Sequence, residues 1–400
     1  MDFFYRCIEC GREYPGNQVM YLCPDCSGDS PPGTFLSGLL EVCCSGSVQS
    51  PEELYPYPLV KRDTYPVGNT PLARPMRLAE TYGLDSLFFK LDNLNPSGSF
   101  KDRASQMVAA QALALGESTV VVSSTGNAGS AMACAGAAYG LEVILFVPQS
   151  APKNKLLQSV LYGARVVPIK GTYDQAFSLS ISCSREFGGI NRNTAYNPMT
   201  IEGKKSCSIE LYRQFGDNIP DVVYIPVGDG VIYSGIYKGF KDLRDAGFTD
   251  RIPKLVCVQS DRSDAISRAW RSGKPDNIEE ATTIADSISV ASPAGGRYAL
   301  KGLAESSGWC VVISDEQILA AQLELSRDAG IFAEPAAAAG WAGVLHDAPM
   351  LRSEYGPDVN IAVIITGTGF KDMDVFTGRT AIPEAIEPDL DAYERRFLDS

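Results

Sequence analysis

Val120-Val-Val-Ser-Ser-Thr-Gly-Asn-Ala-Gly129 reads as a strand that runs through a turn of small residues into a helix. The valines form a continuous β-branched run, which suits a strand buried on both faces. The turn gathers backbone N–H groups at a helix N-terminus, a ready anion site. The Ser124 and Thr125 hydroxyls and the Asn127 amide add directional donors. Two further turns of this kind follow apolar strands: Ile225-Pro-Val-Gly228-Asp-Gly230-Val-Ile232 and Ile365-Thr366-Gly-Thr368-Gly369. One glycine-rich turn is a weak signal, since tight turns need glycine anyway. Three at strand carboxyl ends, where open α/β sheets bind their ligands, describe a pocket for an anionic cofactor and an anionic substrate.

Working outward, short apolar runs recur at Thr119–Ser123, Val143–Val147, Arg165–Ile169, Val222–Ile225, Leu255–Val258, Val311–Ile313 and Ile361–Ile365. Helical stretches lie among them at Arg103–Leu115, Asp315–Ala329 and Ala336–Leu345. This alternation predicts an α/β protein with two open, mostly parallel sheets and helices on both faces. Residues 68–380 exceed one core, so two sub-domains with a cleft are expected: about 102–198 as the smaller, mobile one, and 68–101 plus 199–380 as the larger. Residues 46–67, rich in proline and tyrosine, read as an extended linker, and 381–400 as an acidic tail with a surface helix.

Asn95-Pro-Ser-Gly-Ser-Phe-Lys101-Asp-Arg103 places a lysine at the start of a helix. Pro96 and Gly98 make a turn, and Ser99 with Asp102 stands at capping-box spacing. A cation at the positive end of a helix dipole is unfavourable, so Lys101 is expected to lose its proton easily and to serve as an amine nucleophile. A solvated surface lysine is the bland reading of the same residue.

The first 45 residues are of another kind and hold six of the eleven cysteines. Cys7-Ile-Glu-Cys10 and Cys23-Pro-Asp-Cys26 are two C-x-x-C knuckles that can offer four thiolates to one structural zinc ion, a zinc-ribbon-like module. A redox pair beside a βαβ unit would need one knuckle, not two outside any such unit. Cys43-Cys44 is an alternative ligand source.

The chain has 400 residues, 35 basic and 48 acidic, for a formal net charge of −13. That balance excludes nucleic-acid backbone as a partner. No apolar run reaches the ~20 residues of a membrane span. No basic region followed by an apolar stretch opens the chain, so no secretory signal is expected, and thiol-rich knuckles suit a cytoplasmic location. With His346 the one histidine, multi-histidine mechanisms are excluded. His346 and Glu334 read as structural, the latter beside the pocket. Tyr196 and Tyr233 lie near the loops, either shaping substrate choice or packing.

Ser99-Phe-Lys101-Asp-Arg, Ser124-Thr-Gly-Asn127, the Gly228 loop, Thr366-Gly-Thr-Gly-Phe-Lys-Asp372, Gly68-Asn-Thr-Pro-Leu72, Gly163-Ala-Arg-Val-Val167 and Ile331-Phe-Ala-Glu-Pro335 together resemble fold-type II pyridoxal-phosphate enzymes. The likeness runs to about Thr377, is strongest to threonine synthases, and implies the tryptophan synthase β-like fold. It implies that Lys101 forms the Schiff base with pyridoxal phosphate and shuttles protons, and that Asn127 meets the ring hydroxyl. The N–H groups of Gly228, Asp229, Gly230, Val231 and Ile232 would hold the cofactor phosphate. Thr366 would face the pyridine nitrogen, with Thr368 the second choice. Ser124, Thr125, Gly126 and Ala128 would receive the carboxylate of a small amino-acid substrate. The implied reaction turns O-phosphohomoserine and water into threonine and phosphate, and a homodimer is the expected assembly.

Two departures stand out. Asp229 occupies a phosphate loop that is Asn- and Gly-rich in the family. Thr200 stands where the family's arginine grips the substrate phosphate, a strong bidentate contact, so Lys204 or Lys205 would have to replace it. The alternative is the same site acting on a shorter substrate, as a serine/threonine ammonia-lyase or a β-replacement enzyme on a phosphoserine-like substrate, of the cysteate synthase kind. A non-catalytic binding protein is the third reading, against which the intact Lys101 argues.

Overall fold

The computed structural model describes residues 2–28, 34–59, 65–275, 280–376 and 383–398. An antiparallel sheet comes first, with β1 (Phe3–Cys7), β2 (Glu13–Pro15) and β3 (Leu40–Cys44) in the order β2-β1-β3. The following segment is not simply extended: Pro51–Leu54 form a 3-10 turn because Pro51 and Leu54 are buried against the body. Residues 60–64 of that segment, and the expected boundary at 380–381, lie outside the described residues.

The chain then alternates. β4 (Leu72–Ala73), α1 (Met76–Tyr82), β5 (Leu87–Lys90) and α2 (Lys101–Ala114) lead into β6 (Thr119–Ser123), α3 (Asn127–Tyr139), β7 (Glu142–Pro148) and α4 (Lys153–Leu161). β8 (Arg165–Ile169), α5 (Tyr173–Phe187), β9 (Ile190–Asn191), α6 (Met199–Lys204) and α7 (Ser206–Gln214) follow. Next are β10 (Val222–Pro226), α8 (Val231–Asp245), β11 (Lys254–Ser260), α9 (Ala265–Ser272) and α10 (Gly296–Glu305). The last are β12 (Trp309–Ile313), α11 (Asp315–Ala329), α12 (Pro335–Glu354), β13 (Ile361–Ile364) and the exposed α13 (Leu390–Phe397).

Two sheets result, of six strands in the order β12-β11-β10-β13-β5-β4 and of four in the order β8-β7-β6-β9. All pairings in them are parallel except β4 against β5. Strand side chains alternate between two cores, as the two-residue period of a strand requires. Val222, Tyr224, Ile361 and Val363 pack under α1, α11 and α12. Val223, Ile225, Ala362 and Ile364 pack under α7 to α10. In the smaller sheet, Val120 and Val122 meet α2 and α3, while Val121 meets α5.

Three strands of these sheets escape sequence reading, the first of them β4, which is only two residues long. β5 ends in Lys90, whose charge breaks the apolar run, and β9 is two residues long and polar at Asn191. The helix expected to stop at Leu345 continues to Glu354 through Pro349. His346 therefore lies within α12, with Nδ1 2.8 Å from Asp347. No helix of the described residues is long and apolar enough to cross a membrane.

α2 is buried almost all round, polar residues included. Its Arg103 is 1% exposed. The guanidinium donates to Asp92 at 2.5 and 2.9 Å, to Glu210 at 2.7 and 2.8 Å, and to Ser206 at 2.8 Å. Lys90 joins from β5, donating to Glu210 at 2.7 Å and to the Thr70 carbonyl at 2.7 Å. Burial alone would raise the Glu210 carboxyl; the charges of Arg103 and Lys90 overcome it and hold the group at about 2. A carboxylate held below its ordinary 4.5 stabilises the fold above that pH and loses the effect as pH falls towards 2. Glu210→Gln should cost roughly 3 kcal/mol at neutral pH. Urea unfolding should show the gap to the native chain narrowing as the buffer is taken from pH 5 to pH 3.

Candidate active site

β10, β13 and β5 are adjacent in the larger sheet, so their carboxyl ends bring three loops together. These are the Gly228 turn, the Thr366–Gly369 turn and the Asp92–Lys101 turn. The last two are laced by backbone bonds: the N–H of Phe100 to the Thr366 carbonyl at 2.8 Å, that of Thr368 to Gly98 at 3.0 Å, and that of Asn93 to Ile365 at 2.9 Å. β6 brings the Ser124–Asn127 turn from the smaller sheet, and the two sheets meet here where Asn127 reaches Glu334.

Lys101 is the first residue of α2, but Ser99 does not cap that helix. Asp102 instead accepts the Ser97 N–H at 2.8 Å and the Tyr65 hydroxyl at 3.4 Å, and so closes the turn from within. Lys101 is held below its ordinary value chiefly by burial and then by the Arg192 charge, against the pull of Glu334 and Asp229. The direction matches the sequence expectation, while the leading cause is burial, not the helix dipole.

Gly126 precedes α3, and Asn127 and Ala128 open it. The Asn127 amide donates to both Glu334 oxygens, at 3.2 and 3.1 Å, and to Ser287 at 3.1 Å. The Ser124 hydroxyl accepts the Gly126 N–H at 3.2 Å. At the other turn, Gly230 has φ 83° and Val231 and Ile232 begin α8. A Cβ on Gly228 would stand 2.6 Å from the Ile288 Cα, so only glycine lets the loop lie this close to the 286–288 turn. Asp229 directs its carboxylate at the Ala294 N–H, 2.7 Å away, and burial raises it to about 6. That disposes of the charge which the phosphate loop was not expected to carry.

The cations beneath these loops are the part that sequence reading left open. Thr200 is buried and its hydroxyl donates to the Asn197 carbonyl at 2.8 Å, so it faces inward and grips nothing. Lys205 is spent on Glu202, Asp242 and the Leu54 carbonyl. Lys204 is different: it is 0% exposed and its Nζ has no hydrogen-bond partner among the described residues. Burial, followed by the charges of Arg192 and Lys101, drives it well below its ordinary value. Arg192, also fully buried, bonds hydroxyls alone, Thr194 at 2.7 Å and Ser105 at 3.4 Å, and is lowered by burial to about 10. Among the described residues no carboxylate lies within ion-pair distance of Lys101, Arg192 or Lys204. Arg192 was missed because a cation among asparagines has no distinctive pattern. α6 crosses α2 with Gly203 against the Arg103 carbonyl, where a Cβ would collide, and this places Lys204 close to Lys101.

In the N-terminal module the Sγ atoms of Cys7, Cys10, Cys23 and Cys26 lie within 4.8 Å of one another. Cys10 and Cys23 are 3.8 Å apart, about the edge of a tetrahedron with 2.3 Å zinc–sulfur bonds. Cys43 and Cys44 stand outside this group.

A buried amine with no partner destabilises the resting protein, because burial costs it its charge or its hydrogen bonds. Lys204→Met should therefore raise the thermal midpoint by about 2 °C, on the order of 1 kcal/mol. Inorganic phosphate should raise the midpoint of the native chain more than that of the variant, as read by scanning calorimetry.

Comparison with known proteins agrees with this arrangement. The family described as "Pyridoxal-phosphate dependent enzyme" matches residues 64–367. The chain is 35% identical to a threonine synthase of Methanosarcina acetivorans, over 98% of this chain and 97% of that one. It is 32% identical to a threonine synthase of Methanocaldococcus jannaschii, over 98% of each. Its fold is shared with a threonine deaminase of Solanum lycopersicum, at a TM-score of 0.67 and 21% identity over 78% of this chain and 89% of that one. With the lysine turn, the three loops and the family match in agreement, the chain belongs to the pyridoxal-phosphate dependent enzymes and is a threonine synthase-like lyase.

Proposed function

We propose that the chain converts O-phosphohomoserine and water to threonine and phosphate. The observation that carries this reading is the pair of buried, uncompensated cations, Arg192 and Lys204. The cofactor's own phosphate, held by the N–H groups of Gly228 to Ile232 at the start of α8, needs no side-chain cation. A buried guanidinium and a buried amine that takes up its proton when an anion arrives therefore suit a second anion, the leaving phosphate. They take over the grip that Thr200 lacks. An ammonia-lyase expels hydroxide or water and would leave both groups without a partner, which disfavours the ammonia-lyase; a phosphoserine-like substrate is set apart by its product, which is not threonine.

The residues fit pyridoxal phosphate. The Gly228 cradle would be filled by a Cβ, Gly230 opens the α8 turn, and the amine of Lys101 is held towards its neutral form. When bound, the cofactor supplies the electron sink that makes protons on substrate carbon removable. Lys101 is the amine that would hold it and then move protons, first at the α-carbon and next at the β-carbon. Asn127, anchored by Glu334, would face the ring hydroxyl. Thr366, a neutral hydroxyl, would face the ring nitrogen and leave it unprotonated, which suits elimination and replacement over transamination. The Ser124–Ala128 loop would bind the substrate carboxylate. Arg192 and Lys204 would orient the phosphate and stabilise its charge as it leaves.

In this reading residues 102–198 move as a unit against 68–101 plus 199–380, and the enzyme is a cytoplasmic homodimer. Cys7, Cys10, Cys23 and Cys26 hold a structural zinc ion with no open position.

The deciding measurement is phosphate release from O-phosphohomoserine by the cofactor-loaded protein, with threonine formed in equal amount. Lys101→Ala should abolish turnover, and Lys204→Met should raise KM at least about tenfold, the scale of a lost charged hydrogen bond. Keto acid from serine or threonine with no phosphate release would overturn the substrate. A chelator should make residues 1–45 sensitive to protease; unchanged resistance would remove zinc from the account.

A further inference from the structure

β9 is the edge strand of the smaller sheet, and Arg192 follows it directly. The Arg192 N–H completes the ladder with the Val121 carbonyl at 2.8 Å. The neighbouring N–H, that of Asn191, faces away from β6 and has no strand to meet. It donates instead to the hydroxyl of Tyr21, 2.9 Å away, a side chain of the N-terminal module. The Asn191 carbonyl is taken by the Asn197 amide at 2.8 Å.

Tyr21 touches the far side of Arg192 as well. Its ring stacks on Tyr196, with centroids 4.6 Å apart and planes at 18°. Ala195, between Arg192 and Tyr196, has φ 67°, a left-handed conformation that costs a non-glycine residue and persists only where its surroundings hold it. One tyrosine thus pins the chain on both sides of the Arg192–Thr194 segment. The same segment reaches the substrate loop, because the Asn193 side-chain oxygen accepts the Ser123 N–H at 2.7 Å. The module's polar contacts on the other side go to α10, where Tyr298 donates to Glu41 at 3.0 Å and Arg297 approaches Glu9 at 3.6 Å.

We propose that Tyr21 is a positioning residue for the phosphate-binding cations: through its hydroxyl and its ring, the cysteine-rich module sets the placement of Arg192 and hence the affinity for the phosphorylated end of the substrate. This rests on the role given to Arg192 and Lys204 above. It assigns the module a part in substrate affinity in addition to folding.

The test compares holoenzymes carrying Tyr21→Phe, which keeps the stacked ring and removes the acceptor, and Tyr21→Ala, which removes both. Tyr298→Phe, which breaks a module contact on the opposite side, is the control. Tyr21→Phe should raise KM for O-phosphohomoserine about fivefold, the scale of one lost hydrogen bond, with kcat and the cofactor absorption band unchanged. Inhibition by inorganic phosphate should weaken by the same factor, Tyr21→Ala should exceed both effects, and Tyr298→Phe should show neither. An unaltered KM and phosphate inhibition in Tyr21→Phe would sink the proposal. So would an equal rise in Tyr298→Phe, since general loosening of the module would then explain it. If the native holoenzyme does not turn over O-phosphohomoserine, the substrate reading fails by itself. Inorganic phosphate titrated against the cofactor absorption band then decides on Tyr21: weaker binding in Tyr21→Phe supports the placement role, and equal binding refutes it.

Discussion

Arg103 carries a full charge in a place that water does not reach, and its partners are drawn from distant parts of the chain. Asp92 follows β5, Glu210 lies on α7, and Lys90 closes the set. A guanidinium offers five donors in a rigid fork, so satisfying it fixes the carboxylates in angle as well as distance. Because Arg103 stands two residues after Lys101, this fixes the first turn of α2, and with it the Lys101 amine. Gly203 lies against the Arg103 carbonyl, so α6 inherits the same reference point and delivers Lys204 to the same place.

Two kinds of buried charge lie side by side here. Around Arg103 every cation has its carboxylate, and Glu210 is held well into its ionised range. Around Lys101 no ion pair forms among the described residues, and burial pushes Asp229 and Glu334 towards their protonated forms and Lys101 and Lys204 towards their neutral ones, leaving Arg192 charged. Uncompensated charge in a low-dielectric interior costs stability, so its retention points to a ligand that completes it. The first cluster serves rigidity, and the second is the one to which binding is assigned in the proposed function.

In the proposed function, the absence of the family's arginine at Thr200 is a redistribution of charge. Lys204 rises from the next turn of α6, and Arg192 comes from the strand edge across the pocket. The price of using a strand edge is an unpaired N–H, which the N-terminal module covers with Tyr21. The module thus completes a sheet that the catalytic body leaves unfinished.

Much of this was legible in the residues. Apolar runs rich in β-branched residues marked β6, β10 and β13 because a strand buried on both faces admits little else. The three turns and Lys101 were legible because backbone donors at strand ends need small residues at fixed places. The two cysteine knuckles were legible from spacing. The rest depended on contacts between residues far apart in the chain. β5 and β9 were hidden by Lys90 and Asn191, polar residues whose burial is intelligible only beside Glu210 and Tyr21. Ser99 matched a capping pattern, but Asp102 found a nearer donor in the Ser97 N–H. Lys204 and Lys205 are identical by type and adjacent in sequence, yet one is paired and the other is not. Local pattern determined the elements and the chemistry of the loops, since both follow from backbone geometry. Which buried charges are neutralised was decided by tertiary structure alone, because an ion pair depends on distance in space and not on separation along the chain.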